Sequence, residues 1–200
     1  MPLEIGYIND ADLRAQAEEF LALYHPSGEI PVPILEIAEF DMEIEMFPLP
    51  DAQKIYGFMA ALSSDLQTIV YDEHSDKKNL HRFRFTVAHE IGHRILHGSL
   101  IAALNLQTKQ DWKRAVSEID PKMYTRLEIQ AFLFAGQVLV PTPALLLAVE
   151  KIVQRAADNK FNLGEAGEDA YDLVARPLAN QFKVPTEVIS RRIKAEGCRF

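Results

Sequence analysis

Residues 84–98 read RFTVAHEIGHRILHG, and His89, Glu90 and His93 within them spell H-E-x-x-H. On a helix, positions four apart lie one turn apart on the same face. His89 and His93 can therefore aim two imidazoles at one ion. Zinc accepts neutral His nitrogen at about 2.0–2.1 Å, and catalytic sites commonly use three protein ligands plus water. Glu90 then lies beside the ion without ligating it, placed as a general base for the water that the metal acidifies. His97 is not a third ligand on this reading. It stands about 12 Å along the helix axis from His89 at 1.5 Å per residue, and the spacing does not match H-E-x-x-H-x-x-G-x-x-H. It reads as a packing residue or as a support behind a ligand. Gly92 costs about 1 kcal/mol relative to Ala inside a helix. Close approach of another element over the motif would explain it.

The third ligand has to come from a neighbouring helix. Asp120 and Pro121 read as an N-cap and first-turn proline. They open a long apolar helix through MYTRLEIQAFLFAGQVLV that ends at Pro141. Glu128 is the sole acid between Pro121 and Val149. A buried carboxylate without a partner is costly, and a metal would compensate it. The alternative is a T-x-x-E capping box at Thr125 and Glu128. Asp120-Pro121 is the better start and puts Glu128 about two turns inside, which favours Glu128 as ligand in a His₂Glu set.

Outward from these helices the periodicities predict an α+β domain. Residues 11–24 read as an amphipathic helix, and PILEIAEFD as a short helix with Pro33 in its first turn. MEIEMF, IYGFMAAL and LQTIVYD read as strands. The motif helix runs from about Asn79 to His97, with Gly98 as its stop. TKQDWKRAVS, residues 108–117, reads as a polar surface helix or loop. Thr142-Pro143 repeats the start signal for ALLLAVEKIVQRAA. A polar loop at 158–168 precedes helices at DAYDLVARPLANQF and TEVISRRIKAEG. The order is α-α-β-β-β-α-α-α-α-α. Residues 1–32 form an N-terminal helix and connector packed on the core, 33–157 the core, and 158–200 a C-terminal helical segment of the same domain.

Composition narrows the function. The 200 residues are 48% hydrophobic and 25% charged, with a formal net charge of −8. That acidity disfavours broad nucleic-acid binding. One cysteine, Cys198, excludes an internal disulfide framework and fits a reducing compartment. The N-terminus shows no signal-peptide pattern. The longest apolar run, VLVPTPALLLAV, is broken by two prolines and is too short to span a bilayer. The cytoplasm is the expected setting.

RFRFTVAHEIGHRILH followed by LEIQAFLFAGQVLVP resembles the ImmA/IrrE family of zinc metallopeptidases, over residues from about 12 to 197. That family typically shows R-F-T-x-A-H-E-x-G-H-x-x-x-H, then E-x-x-A-N-x-F-A-x-x-L-L-x-P. The first motif matches closely. In the second, Phe132 replaces the usual Asn, and Gln130 stands where an acid is common. The resemblance implies a zincin-like domain, a small sheet of about three strands on a helical bundle with a C-terminal helix pair. It implies Zn²⁺ held by His89, His93 and Glu128, with Glu90 as general base. It also implies a partner helix-turn-helix repressor as substrate, in a stress or mobile-element response, with neither nucleic acid nor membrane as partner.

In many zincins an edge strand before the active helix binds substrate by strand addition. Residues 66–74, LQTIVYDEH, read equally as that edge and as a buried central strand. Candidates for the oxyanion donor are Tyr124, Tyr71, His81 and His97. Two other functions compete. Residues 178–197, LANQFKVPTEVISRRIKAEG, have a helix-turn-helix look, with Arg191 and Arg192 as phosphate contacts. A metal-binding regulator with little peptidase turnover would carry the same motif.

Overall fold

The computed structural model describes residues 8–75, 79–104, 111, 114 and 119–200. The chain is mostly helical around one small mixed sheet. α1 (Asp10–Tyr24) starts at Asn9, whose side chain accepts from the Asp12 amide. α2 (Ile34–Glu36) runs directly into a π turn, Ile37–Asp41. β1 (Glu45–Leu49), α3 (Ala52–Tyr56), β2 (Ala60–Leu62) and β3 (Thr68–Asp72) follow. α4 (Leu80–Leu104) carries the H-E-x-x-H motif, and α5 (Pro121–Leu139) carries Glu128. α6 (Thr142–Asp158), a 3₁₀ turn (Leu163–Ala166), α7 (Asp169–Phe182) and α8 (Thr186–Ala195) complete it.

The three strands lie in the order β1-β3-β2, with β1 parallel and β2 antiparallel to β3. This settles the open question at residues 66–74: β3 is the central strand, not an edge, and β1 and β2 are the two edges. The 55–62 strand expectation is also corrected. Gly57 has φ +86 and closes α3 as its C-cap, so only Ala60–Leu62 remain extended. The glycine's left-handed backbone is a helix stop inside what periodicity alone reads as a strand.

α4 begins where Asn79 accepts from the Arg82 amide. It does not stop at Gly98 but continues to Leu104. Gly98 is there for space, since a Cβ would meet Leu66 Cδ1 at 3.2 Å. Gly92 fulfils the close-approach expectation. A Cβ on it would lie 3.1 Å from the Ala131 carbonyl oxygen and 3.2 Å from both Ala131 Cα and Phe134 Cδ1. The α4–α5 crossing is therefore backbone-tight next to the motif. Asp120 caps α5 by accepting from the Lys122 and Met123 amides, which disposes of the Thr125 capping box. Thr125 Oγ1 instead donates to the Pro121 carbonyl one turn back. Thr142 is not the cap of α6; Pro141 is. The Thr142 hydroxyl joins Arg14, Arg192 and Glu196.

One continuous apolar core runs from Leu13 on α1 through Ile69 on β3, Val87 and Ile91 on α4, and Phe134 and Val138 on α5, to Ile193 on α8. Arg84, the first residue of the opening stretch, is buried against it. Its guanidinium donates to the Val32 and Lys183 carbonyls, tying α4 to the connector before α2 and to the α7–α8 turn. Residues 108–117 lie outside the described residues except Asp111 and Arg114. Among the described residues no single helix is long and apolar enough to cross a membrane.

Candidate metal centre

α4 and α5 cross so that His89, His93 and Glu128 converge. One donor atom from each lies within 4.8 Å of the others. His89 Nε2 and His93 Nε2 are 3.1 Å apart. The Glu128 carboxylate is 3.3 Å from His89 Nε2 and 3.5 Å from His93 Nε2. A tetrahedral ion with bonds of about 2.0–2.1 Å has ligand–ligand edges of about 3.3–3.4 Å. The observed separations lie close to that value, the two Glu128 distances being to different oxygens of its carboxylate. Two neutral imidazoles and one carboxylate are also the donor chemistry of a catalytic zinc set, so the residues fit the ion.

Glu90 is 7% exposed, beneath the two histidines on the sheet side. One of its carboxylate oxygens accepts the Leu62 amide of β2 at 2.9 Å. Burial pushes its pKa up, while the neighbouring His93 and His89 and the Leu62 amide pull the other way. Burial works against Glu128 ionising too, but the adjoining His89 and His93 imidazoles outweigh it and hold that carboxyl well below its usual range. His89 is the counterpart: burial opposes its charge, yet the Glu128 hydrogen bond and the charges of Glu90 and Glu128 raise its pKa. The pKa values of the two carboxylates in one site are thus pushed in opposite directions, Glu90 up and Glu128 down.

His97 lies outside the three-residue group. Its Nδ1 is 3.1 Å from His93 Nδ1, and its Nε2 is 3.0 Å from Gln130 Oε1. It is buried, and burial pulls its pKa down to about 4. His97 therefore lies against His93, on the side away from His89 and Glu128.

The site opens into a cavity of about 530 Å³. Gly57–Leu62 wall one side, α4 forms the floor, and Tyr124 and Phe132 of α5 with Pro185 and Val188 close the other. Of the four oxyanion candidates, Tyr124 and His97 line this cavity, whereas Tyr71 and His81 are not among its lining residues. Burial, then the charge of Glu128 and hydrogen bonding to it, push the Tyr124 phenol up to about 12. Phe132, where an Asn was expected, lines the same cavity. Its ring packs on Phe85 at 4.9 Å between centroids, and the Arg191 guanidinium lies 4.7 Å over it.

The Peptidase M78 family model, the IrrE N-terminal-like domain, matches residues 44–194. The chain belongs to this family. No curated protein shows a significant match to it. Membership in a family of peptidase type, with a His₂Glu cluster formed between the middle of α4 and α5, gives this M78 domain a metallopeptidase-type site.

The helix-turn-helix reading of the C-terminal pair loses its second arginine. Arg192 is 6% exposed and donates to the Val140 carbonyl and Thr142, with Glu196 at 2.7 Å. It clamps α8 to the end of α5. Sequence reading also missed two groups at the centre itself, the Leu62 amide on Glu90 and the Gln130 amide on His97. A backbone donor leaves no mark in composition. Gln130 did leave one, as an amide in an apolar stretch, a mark that Gln137 shares.

Proposed function

We propose that this M78 domain is a zinc-dependent endopeptidase that cleaves, and so inactivates, a partner helix-turn-helix repressor in a stress or mobile-element response inside the cell. The observation that carries the catalytic part is the convergence of His89, His93 and Glu128 with Glu90 buried alongside and bonded to edge strand β2. The repressor and the response rest on the family resemblance alone.

His89, His93 and Glu128 would hold the ion, which when bound supplies Lewis acidity to the peptide carbonyl and to water. Glu90 takes the proton from the attacking water and passes it to the leaving amine. Its raised pKa suits both halves of that transfer. Tyr124 holds its proton at neutral pH and faces the cavity, so it is the donor best placed for the developing oxyanion.

β2 supplies the substrate wall. The Ser63 amide donates to Thr68 and the Asp72 amide to Met59, so odd-numbered residues of β2 face β3. Ala60 and Leu62 consequently turn their backbone groups outward. Leu62's amide is taken by Glu90. An extended substrate added to this edge therefore pairs through Ala60. Co-expressing the chain with candidate repressors tests the proposal. Chelator-sensitive loss of the intact repressor supports it. Intact repressors throughout, with zinc bound, would favour the regulator that acts without turnover.

A further inference from the structure

We propose that Gln130 is a positioning residue: acting through His97, it fixes the tautomer of His93 so that the His93 Nε2 lone pair, not a proton, faces His89 and Glu128. The inference rests on the His₂Glu reading for its purpose but on hydrogen-bond chemistry for its content.

Gln130 is 4% exposed and His97 3%, so bulk water does not arbitrate their protons. Gln130 Oε1 lies 3.0 Å from His97 Nε2. An amide carbonyl oxygen only accepts, so His97 Nε2 carries a proton. A neutral imidazole has one N–H, which leaves His97 Nδ1 as an acceptor. Among the described residues its hydrogen-bond partner is His93 Nδ1, 3.1 Å away. His93 must then donate from Nδ1, and its Nε2 is bare. That nitrogen lies 3.1 Å from His89 Nε2, a distance at which the two nitrogens cannot both carry protons. Every polarity in the chain Gln130–His97–His93 follows from the first acceptor.

The choice of an amide has a visible cost. Gln130 Nε2 is buried with no hydrogen-bond partner among the described residues, and a buried donor without a partner is destabilising. A carboxylate there would accept equally well and leave no orphan donor, but it would add a third negative charge beside Glu90 and Glu128. Gln130 supplies the acceptor without the charge. Partners that orient a metal-ligating histidine typically change affinity 10–100-fold when removed.

Long-range ¹H–¹⁵N correlation spectra of the metal-free protein near neutral pH read the tautomers directly. In wild type, His93 should show the protonated-Nδ1 pattern and His97 the protonated-Nε2 pattern. Gln130→Glu should preserve both. Gln130→Met, of similar volume but without the acceptor, should release the His93 pattern and raise the zinc dissociation constant 10–100-fold in chelator competition. A wild-type His93 protonated at Nε2 overturns the proposal, whether or not Gln130→Met folds. So does a folded Gln130→Met that keeps both the His93 pattern and the wild-type zinc affinity. Absence of zinc binding in wild type would instead strike the metallopeptidase reading, leaving the metal-free spectra to decide the tautomer.

Discussion

Leu62 donates its backbone amide to the Glu90 carboxylate at 2.9 Å, joining an edge of the sheet to the buried acid beside the His89–His93–Glu128 group. One outward-facing donor of β2 is thereby used inside the protein, and Ala60 is left to meet an incoming strand. Ala60→Pro removes that donor at the first residue of an edge strand, where proline is tolerated. Loss of one hydrogen bond of about 1 kcal/mol should raise KM for a peptide substrate about fivefold with kcat nearly unchanged. An unchanged KM would place substrate elsewhere than on β2.

The crossing of α4 over α5 leaves no room at Gly92. On an open helix face, Gly→Ala would stabilise by about 1 kcal/mol. Here the new methyl meets the Ala131 backbone at 3.1–3.2 Å, and backbone cannot swing aside. Gly92→Ala should therefore destabilise the protein by about 1–3 kcal/mol, read as a lower urea midpoint. By pushing α5 outward it should also weaken zinc binding through Glu128.

Phe132 carries packing, not ligation. Its contacts are the Phe85 ring and the Arg191 guanidinium. Phe132→Asn should lower stability by about 2 kcal/mol, combining lost apolar burial with the aromatic pair. Zinc affinity should stay within a factor of a few. A large loss of zinc with stability intact would show that the position governs the ligands.

The α1–α8 clamp gives a pH signature remote from the metal centre. Burial opposes ionisation of Glu196, but Arg192 and hydrogen bonds from Arg14 and Thr142 outweigh it and lower its pKa from 4.5. A depressed carboxylate contributes stability that is fully present above its unfolded pKa and is lost as pH falls through the folded one. At pH 7 Glu196→Gln should cost about 3 kcal/mol, because the buried Arg192 loses its counter-charge. The gap between wild type and variant should narrow as pH falls below 4.5. A gap constant from pH 7 to pH 3 would mean that the charge of Glu196 is immaterial.

The helices were legible because their signals are local. Asp120-Pro121 marks the start of α5, and the His89–His93 spacing sets one face of α4. Glu128 could be paired with them because a lone acid in an apolar helix needs a partner, whatever the fold. The sheet was harder. Strand order depends on contacts between β1 and β3, which no periodicity encodes, so residues 66–74 stayed ambiguous between edge and centre. Gly57 and Gly98 show the limit of punctuation. The first ends a helix read as strand, and the second, expected to end a helix, is a packing contact with Leu66. Arg192, read as a surface cation, is buried by a tertiary partner four residues along its own helix and by the end of α5.

The central claim is that Glu90 performs proton transfer at a metal held by His89, His93 and Glu128. The direct measurement is cleavage of a co-expressed repressor by wild type and by Glu90→Gln, with bound zinc quantified in both purified proteins. The account predicts one zinc per chain in each, chelator-sensitive cleavage by wild type, and a rate at least about 10²-fold lower for Glu90→Gln. Cleavage by Glu90→Gln at the wild-type rate, or a zinc-replete wild type that purifies without metal, would contradict it.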